Sequence, residues 1–393
     1  YVASTKHPQS VLPNMERHLL DENIPFTILD VLRSLAVSPA SKRSSIQLVA
    51  LDAKLVHLLL KQALPRQWIS ADDQVLWCPG SENHPPESWL EAMWLWMNSQ
   101  KPKPRLVDFE SYPLVKKQSG NTTLLVKLKK GGRTIRESSY GSSLPGDVVS
   151  LLKKVGVITI SNVPAYLENY PNLEDYLLPP TPNGVLCVLQ AIGTTVVLEK
   201  IKHLPVLERR TLRSFLVSQT VDSHFKEILT YLPIFESLDG KSLLAVKQNG
   251  MQNPVSPRHD ILPSGISVKN ASGILAGFNN DNQRLLNQLK LVRIMSNTAF
   301  LRQEILPHIN EYCFEDVLKL GEWILMNYYI FCKEDPSFPS ALTSVKFVNA
   351  GSKCLLAPCE LFDPRETLLK QLFAGEKEKF PEGYFKGENV LIL

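Results

Sequence analysis

Apolar side chains recur at helical spacing through the first hundred residues. Phe26, Leu29, Leu32 and Arg33 sit one turn apart, and Leu51, Leu55, Leu58 and Leu59 form a second stripe, so residues 1–104 read as helices with proline-rich joints. The strongest stripe is in HPPESWLEAMWLWMNSQ. Ser88 and Glu91 have capping-box spacing, Leu90, Trp94 and Met97 share one face, and Trp89, Met93 and Trp96 flank it. A band this wide fits a buried helix better than the floor of a client-binding groove, which is the sharper alternative. KPKPR (Lys101–Arg105) then breaks the pattern as a linker would.

After the linker the period changes to two. LVDFESYPLVKKQSGNTTLLVKLKKGGRTIRE alternates around Gly120-Asn121 and Gly131-Gly132, predicting antiparallel strands joined by tight turns where glycine supplies positive φ. Lys127, Lys129, Lys130, Arg133 and Arg136 bracket the second turn. Without interleaved aromatics they read as a solvated hairpin tip, not a nucleic-acid site.

Helical spacing then returns, and with it an internal repeat. Leu151-Leu152, Val155, Ser161-Asn162 and Pro171 are followed in the same order by Leu285-Leu286, Leu289, Ser296-Asn297 and Pro307, and Phe109-Glu110-Ser111 by Phe235-Glu236-Ser237. Each copy reads as a leucine-bearing helix, an extended link and a Ser/Asn cap on the next helix. Leu212, Phe215, Leu216, Phe225, Ile228, Leu229 and Leu232 line the segment between the copies; Val317, Leu318, Trp323, Ile324, Tyr328 and Phe331 do so in the last unit. Val345, Phe347 and Cys354–Ala357 predict two strands around Gly351. Asp363-Pro364 predicts the start of a helix bearing Leu368, Leu369, Leu372 and Phe373, stopped at Gly375.

Composition adds bounds. A chain of 393 residues implies two or three domains, and its 44% hydrophobic and 21% charged residues are those of a folded protein. A net charge of +4 over that length offers no strongly basic face for nucleic acid. The six cysteines (Cys78, Cys187, Cys313, Cys332, Cys354, Cys359) lack CxxC spacing and read as free thiols of a reducing cytosol. Asn121–Thr123 and Asn270–Ser272 match the glycosylation pattern by chance on that view. With no basic-apolar leader and no apolar run near 18 residues, membrane insertion is not expected, and both ends look cut from something longer.

No chemistry stands out. Gly240-Lys241-Ser242 has Phe235 where a phosphate loop needs glycine, so it reads as a turn; Gly273 and Gly277 lack a dinucleotide site's third glycine. His7, His18, His57, His84, His203, His224, His259 and His308 include no i, i+4 zinc pair, and His259-Asp260 adjacency does not make a catalytic pair. Ser142-Ser143 lacks a nucleophile-elbow setting, and Asp72-Asp73 and Glu376 with Glu378 read as solvated charge runs. No catalytic, cofactor-binding or metal-binding residue is assigned.

LPIFESLDG from Leu232 and VKFV…LAPCELFDP…LLKQLF…KFP from Val345 resemble the opening and closing marks of the internal repeats of the sacsin family, very large chaperone-related proteins. The resemblance implies 231–393 as one subrepeat, 105–230 as a degenerate one that keeps only FES and the Ser-Asn link, and 1–104 as the end of a preceding unit. It implies a cytoplasmic, non-catalytic scaffold with surfaces for clients and for chaperone partners such as the seventy-kilodalton heat-shock proteins. The ATPase fold and J domain implied elsewhere in such proteins leave no signature here: His7-Pro8 is followed by Gln9 and His84-Pro85 by Pro86, not by the Asp a J domain needs. The competing reading is a nucleotide-binding or enzymatic unit whose site is assembled from sequence-distant residues. The expected fold is α+β, in consecutive, internally repeated units of short antiparallel sheets packed with helices. If Phe235 anchors its unit, Phe235→Ala should cost about 3–5 kcal/mol.

Overall fold

The computed structural model describes residues 50–385 except 82, 249, 258–261, 291–293 and 351–353, together with 2–3, 12, 27–28 and 31. The stripe at Phe26, Leu29, Leu32 and Arg33 and the pair His259-Asp260 lie wholly outside the described residues. The fold is α+β, and the chain divides into two compact units, 1–200 and 201–393. The sequence reading placed its limits at 104/105 and 230/231.

In the first unit, Asp52 accepts a hydrogen bond from the Leu55 amide (2.8 Å) and starts helix α1, Ala53–Ala63. Its buried face is Val56, Leu59, Leu60 and Ala63, while Leu58 is about half exposed, so the expected stripe is rotated toward Val56. After α2, Arg66–Ser70, strand β1, Gln74–Leu76, leads to α3, Glu87–Ser99. All six expected apolar side chains of α3 (Trp89, Leu90, Met93, Trp94, Trp96 and Met97) are at most 3% exposed, so this helix is core and not a groove floor. Two tryptophan N–H groups find carbonyls: Trp94 Nε1 donates to Leu114 O (2.7 Å) and Trp77 Nε1 to Pro85 O (2.9 Å). The expected capping box does not form. Pro86 is the N-cap, with the extended backbone that a proline pair favours, and Ser88 falls inside the first turn.

Of the two prolines after α3, Pro102 is exposed, but Pro104 is buried and its carbonyl accepts from Tyr170 Oη (2.5 Å). Strands β2, Pro113–Ser119, and β3, Thr122–Lys127, form the expected hairpin, with Gly120 at φ +58 in its two-residue turn. On its other edge β3 pairs antiparallel with β1, Val75 opposite Leu125, so this three-stranded sheet joins residues from both sides of 104.

The turn at Gly131-Gly132 forms, with Gly131 at φ +60, but the next strand does not pair antiparallel with β3. Strand β4, Thr134–Arg136, instead runs parallel to β5, Ile158–Ile160, because helix α4, Gly146–Val155, carries the chain back to the same end of the pair. Val148, Leu151, Leu152 and Val155 of α4 are fully buried, and Gly156 at φ +103 ends it. The four-residue helix α5, Ala165–Glu168, is capped by Pro164, not by Ser161 or Asn162, since the residue before a proline is held extended. Helix α6, Pro182–Ile192, has Thr181 as its cap and turns by 107° at Gly193 into the helix Thr194–Lys202. Among the described residues no single helix is long and apolar enough to cross a membrane.

In the second unit, α7, Val206–Val217, and α8, Lys226–Tyr231, bury Leu212, Leu216, Ile228 and Leu229. They flank a two-stranded hairpin of β6, Phe235–Glu236, and β7, Leu243–Leu244. Helix α9, Asn280–Leu289, buries Leu285, Leu286 and Leu289. At the next helix, α10, Asn297–Phe300, Ser296 is the N-cap as expected, its Oγ accepting from the Ala299 amide (3.1 Å). The unit's core gathers Phe300, Ile305, Leu320, Ile324, Phe338 and Phe347 from α10, from α11, Phe314–Met326, and from the segments after it. The expected final strand pair is present as β8, Val348–Asn349, and β9, Leu355–Leu356. The last helix, α12, is displaced from its expected start. Asp363 accepts from the Arg365 amide (2.9 Å) in a side-chain-closed turn, so the helix runs over Thr367–Leu372 with Glu366 as cap and ends before Gly375.

Candidate functional site

Among the described residues of the second unit, a dense polar arrangement grows from LPIFE. Pro233 keeps Leu232 out of helical conformation, Ile234 and Phe235 are fully buried, and Glu236 follows them in β6. Glu236 is itself largely enclosed. Its Oε1 accepts from Arg210 Nη2 (2.8 Å), and its Oε2 from Arg213 Nη1 (3.0 Å) and Asn279 Nδ2 (2.6 Å). The side chain of Asn282, with no exposure, imitates a neighbouring strand: its Oδ1 accepts from the Glu236 amide and its Nδ2 donates to the Glu236 carbonyl, each at 2.9 Å.

Three elements meet at this carboxylate. Helix α7 supplies Arg210 and Arg213, and Asn279 caps α9 while Asn282 lies in its first turn. Arg210 also donates to the Gly240 carbonyl, and the neighbouring Arg209 donates to the carbonyls of Pro233 and Leu243 (both 3.3 Å). Burial lowers the Arg209 guanidinium pKa, and Arg213 Nε has Asp281 at 3.5 Å. With both carboxylate oxygens and both backbone groups of Glu236 committed, the cluster fastens a hairpin to two helices.

Gly240-Lys241-Ser242 is the turn of that hairpin. Gly240 has φ +67 and donates to Ser237 O (2.9 Å), while the Asp239 carboxylate accepts from Ser237 Oγ (2.5 Å) and the Lys241 amide (3.0 Å). Those donors hold the Asp239 carboxyl below its ordinary range. Gly277 serves packing, since a Cβ there would stand 2.0 Å from the Ser256 carbonyl oxygen.

The basic run of the first unit is split: Lys127 and Arg136 are buried, whereas Lys129 and Lys130 stay exposed at the turn as expected but are ion-paired. Lys127 is 3% exposed, with Nζ donating to the Ile69 (3.0 Å) and Ala71 (2.6 Å) carbonyls at the end of α2; burial lowers its pKa. Lys129 and Arg133 each reach Asp73 at 2.6 Å, and Lys130 reaches Asp175 at 3.1 Å. Asp73 is therefore not on a solvated run. Burial pushes its carboxyl up, but the two cations outweigh burial and hold it below the usual range. Arg136, also buried, donates to Ser139 Oγ at 3.4 Å.

The described histidines are dispersed. His84 Nδ1 accepts from the Cys78 amide (2.9 Å) beside Trp68, His57 packs edge-on to Phe109 and Tyr112, and His308 pairs with Glu311 (2.7 Å). Ser142-Ser143 lies in a short strand paired with Ser138-Ser139. Among the described residues no group of three or more His, Cys, Asp or Glu is arranged to hold a metal ion.

Neither a protein-family model nor a solved structure matches the chain. Over 404 aligned residues, taking in the entire chain, it is 25% identical to human sacsin, of whose length it spans 9%. The chain is a sacsin-like region. In this sacsin-like segment both marks noted in the sequence have structural work. The opening mark places Phe235 in the core and Glu236 between α7 and α9. The closing marks pack on each other: Phe362 stacks on Phe373 (centroids 4.4 Å apart), lies 5.6 Å from Phe380, and donates its amide to Lys379 O (2.9 Å).

Sequence reasoning did not single out Arg209, Arg210, Arg213, Asn279 or Asn282. A local signal existed for the arginines, three cations within five residues of a helix otherwise rich in leucine. The asparagines carried none beyond Asn279 standing at a helix start.

Proposed function

We propose that this sacsin-like region is a non-catalytic scaffold of a large cytoplasmic co-chaperone, holding other modules at set positions and offering surfaces to clients and to partners of the seventy-kilodalton heat-shock type. The observation that carries this reading is the use of the family marks. Phe235, Glu236, Phe362 and Phe380 are spent on packing and internal hydrogen bonds, as a structural repeat requires and as a reactive site does not. Similarity to sacsin over the full chain supports the chaperone setting.

The same reading holds that two stretches were built to one plan. Helix α4 buries Leu151, Leu152 and Val155 before a link and the short helix α5; α9 buries Leu285, Leu286 and Leu289 before a link and α10. An experimental structure in which these two paths fail to superpose removes the repeat from the proposal.

The purified chain, incubated with ATP and magnesium, should show no turnover above buffer, and it should suppress light scattering by a thermally unfolding client enzyme. ATP hydrolysis at stoichiometric protein, abolished by one point substitution, overturns the non-catalytic reading.

A further inference from the structure

The closing segment of the second unit carries an open cleft of about 720 Å³. Its apolar walls include Pro364, Phe373 and Phe380, and its cations are Arg365, Lys370 and Lys377, against the single carboxylate of Glu382. Arg365 is neutralised by Asp363, which it grips through Nε (3.0 Å) and Nη2 (2.6 Å). Lys379, just outside the cleft, is matched by Glu376 at 2.7 Å. Lys370 and Lys377 have no ion-pair partner among the described residues. Two exposed lysines outside any ion pair therefore line the same cleft as Phe373 and Phe380, although the charge of Lys370 also helps to hold the Asp363 carboxyl low.

Helix α12 adds a second observation. None of its six residues is buried, and Leu368 and Leu372, one turn apart, are 64% and 66% exposed. A six-residue helix gains little from its own hydrogen bonds, and an exposed leucine pair gives it almost nothing by burial. An apolar strip beside a cleft with free cations is the arrangement that accepts an apolar side chain flanked by carboxylates.

We infer that this cleft, with the adjoining face of α12, is a docking site for a short acidic peptide segment that bears a leucine or aromatic residue. The apolar residue enters against Phe373 and Phe380, and flanking Asp or Glu carboxylates pair with Lys370 and Lys377. A volume near 720 Å³ admits a few side chains of an extended strand and not the face of a folded domain. The inference deepens the scaffold reading, on which it rests, by giving one partner-binding surface a place and a chemistry.

The test uses the full chain and a fluorescein-labelled acetylated hexapeptide, Glu-Asp-Leu-Phe-Asp-Glu, followed by anisotropy. Binding should saturate, weaken about fivefold or more between about 50 and 300 mM salt, and fall at least about tenfold in the K370E/K377E variant. Both lysines are exposed, so this variant should keep the wild-type circular dichroism, and K319E/K333E should bind as wild type does. Absence of saturable binding, equal binding to the peptide with Lys in place of its acids, or unchanged affinity in K370E/K377E overturns the inference. So does sedimentation showing self-association that K370E/K377E dissolves, because the cleft then belongs to a second copy. ATP turnover is measured separately, so failed peptide binding removes this docking site and leaves the non-catalytic reading standing.

Discussion

Replacing Glu236 by alanine should loosen the second unit more than most core truncations of its size. Arg213 has a side chain 7% exposed, and without Glu236 its remaining carboxylate among the described residues is Asp281 at 3.5 Å. Breaking a buried ion pair by removing one partner costs about 3–5 kcal/mol. Two features lower that figure: Arg210 is 37% exposed and can turn to water, and Asp281 takes part of the Arg213 charge. Asn279 loses an acceptor, worth about 1 kcal/mol. The expected loss is about 3 kcal/mol for Glu236→Ala and about 2 for Glu236→Gln, which keeps shape and one acceptor but not charge. The joint replacement Glu236→Met with Arg213→Met should cost less than the sum of the singles by at least about 1.5 kcal/mol. Native-state hydrogen exchange reads this locally, at the amides of Glu236 and Ala276 and along Asn280–Leu289, with α3 amides of the first unit as internal control. A loss below about 1 kcal/mol for Glu236→Ala, glutamine as damaging as alanine, or equal loosening of α3 would refute the clamp.

Phe235 has no exposed surface, so Phe235→Ala should lower stability by about 3–5 kcal/mol in urea denaturation; a change under about 1.5 would show that its ring is not an anchor. Asp73 gives a pH dependence. Its folded carboxyl sits below the ordinary value, so its ion pairs contribute fully above the unfolded carboxylate range and fade as pH falls below about 4. Lys129 and Arg133 are 48% and 38% exposed, which limits the neutral-pH cost of Asp73→Asn to about 1–2 kcal/mol. The variant should also show a shallower decline in stability between about pH 5 and 3, and identical pH slopes would contradict the assignment.

What the sequence disclosed follows range along the chain. The hairpin at Gly120-Asn121 was legible because its two-residue turn and alternating flanks are neighbours. The burial of Trp89–Met97 was legible because a helix face so rich in tryptophan and methionine has few other uses. Pairing over distance was not. Val75 meets Leu125 and Ile135 meets Thr159 through backbone hydrogen bonds that carry no residue code, so the sheet across residue 104 and the parallel pair went unseen. The basic run misled for a related reason. A lysine looks solvated in sequence until a carboxylate such as Asp73, or helix-end carbonyls such as Ile69 and Ala71, are folded against it. Glu236 was visible as part of a motif, but its donors lie 23 to 46 residues away along the chain.

The pairing of Gln74–Leu76 with Thr122–Lys127 bears on how this polypeptide can be cut for expression. The prolines at 102 and 104 invite a construction starting at Leu106, yet such a piece strips one side of the strand that carries Leu125 and Val126, bares its amides and carbonyls, and removes the tryptophan helix beneath it. An uncovered apolar edge recruits strands from other molecules. Recombinant material begun there should collect in inclusion bodies, whereas one that keeps the chain from Ala50 onward retains the missing neighbour.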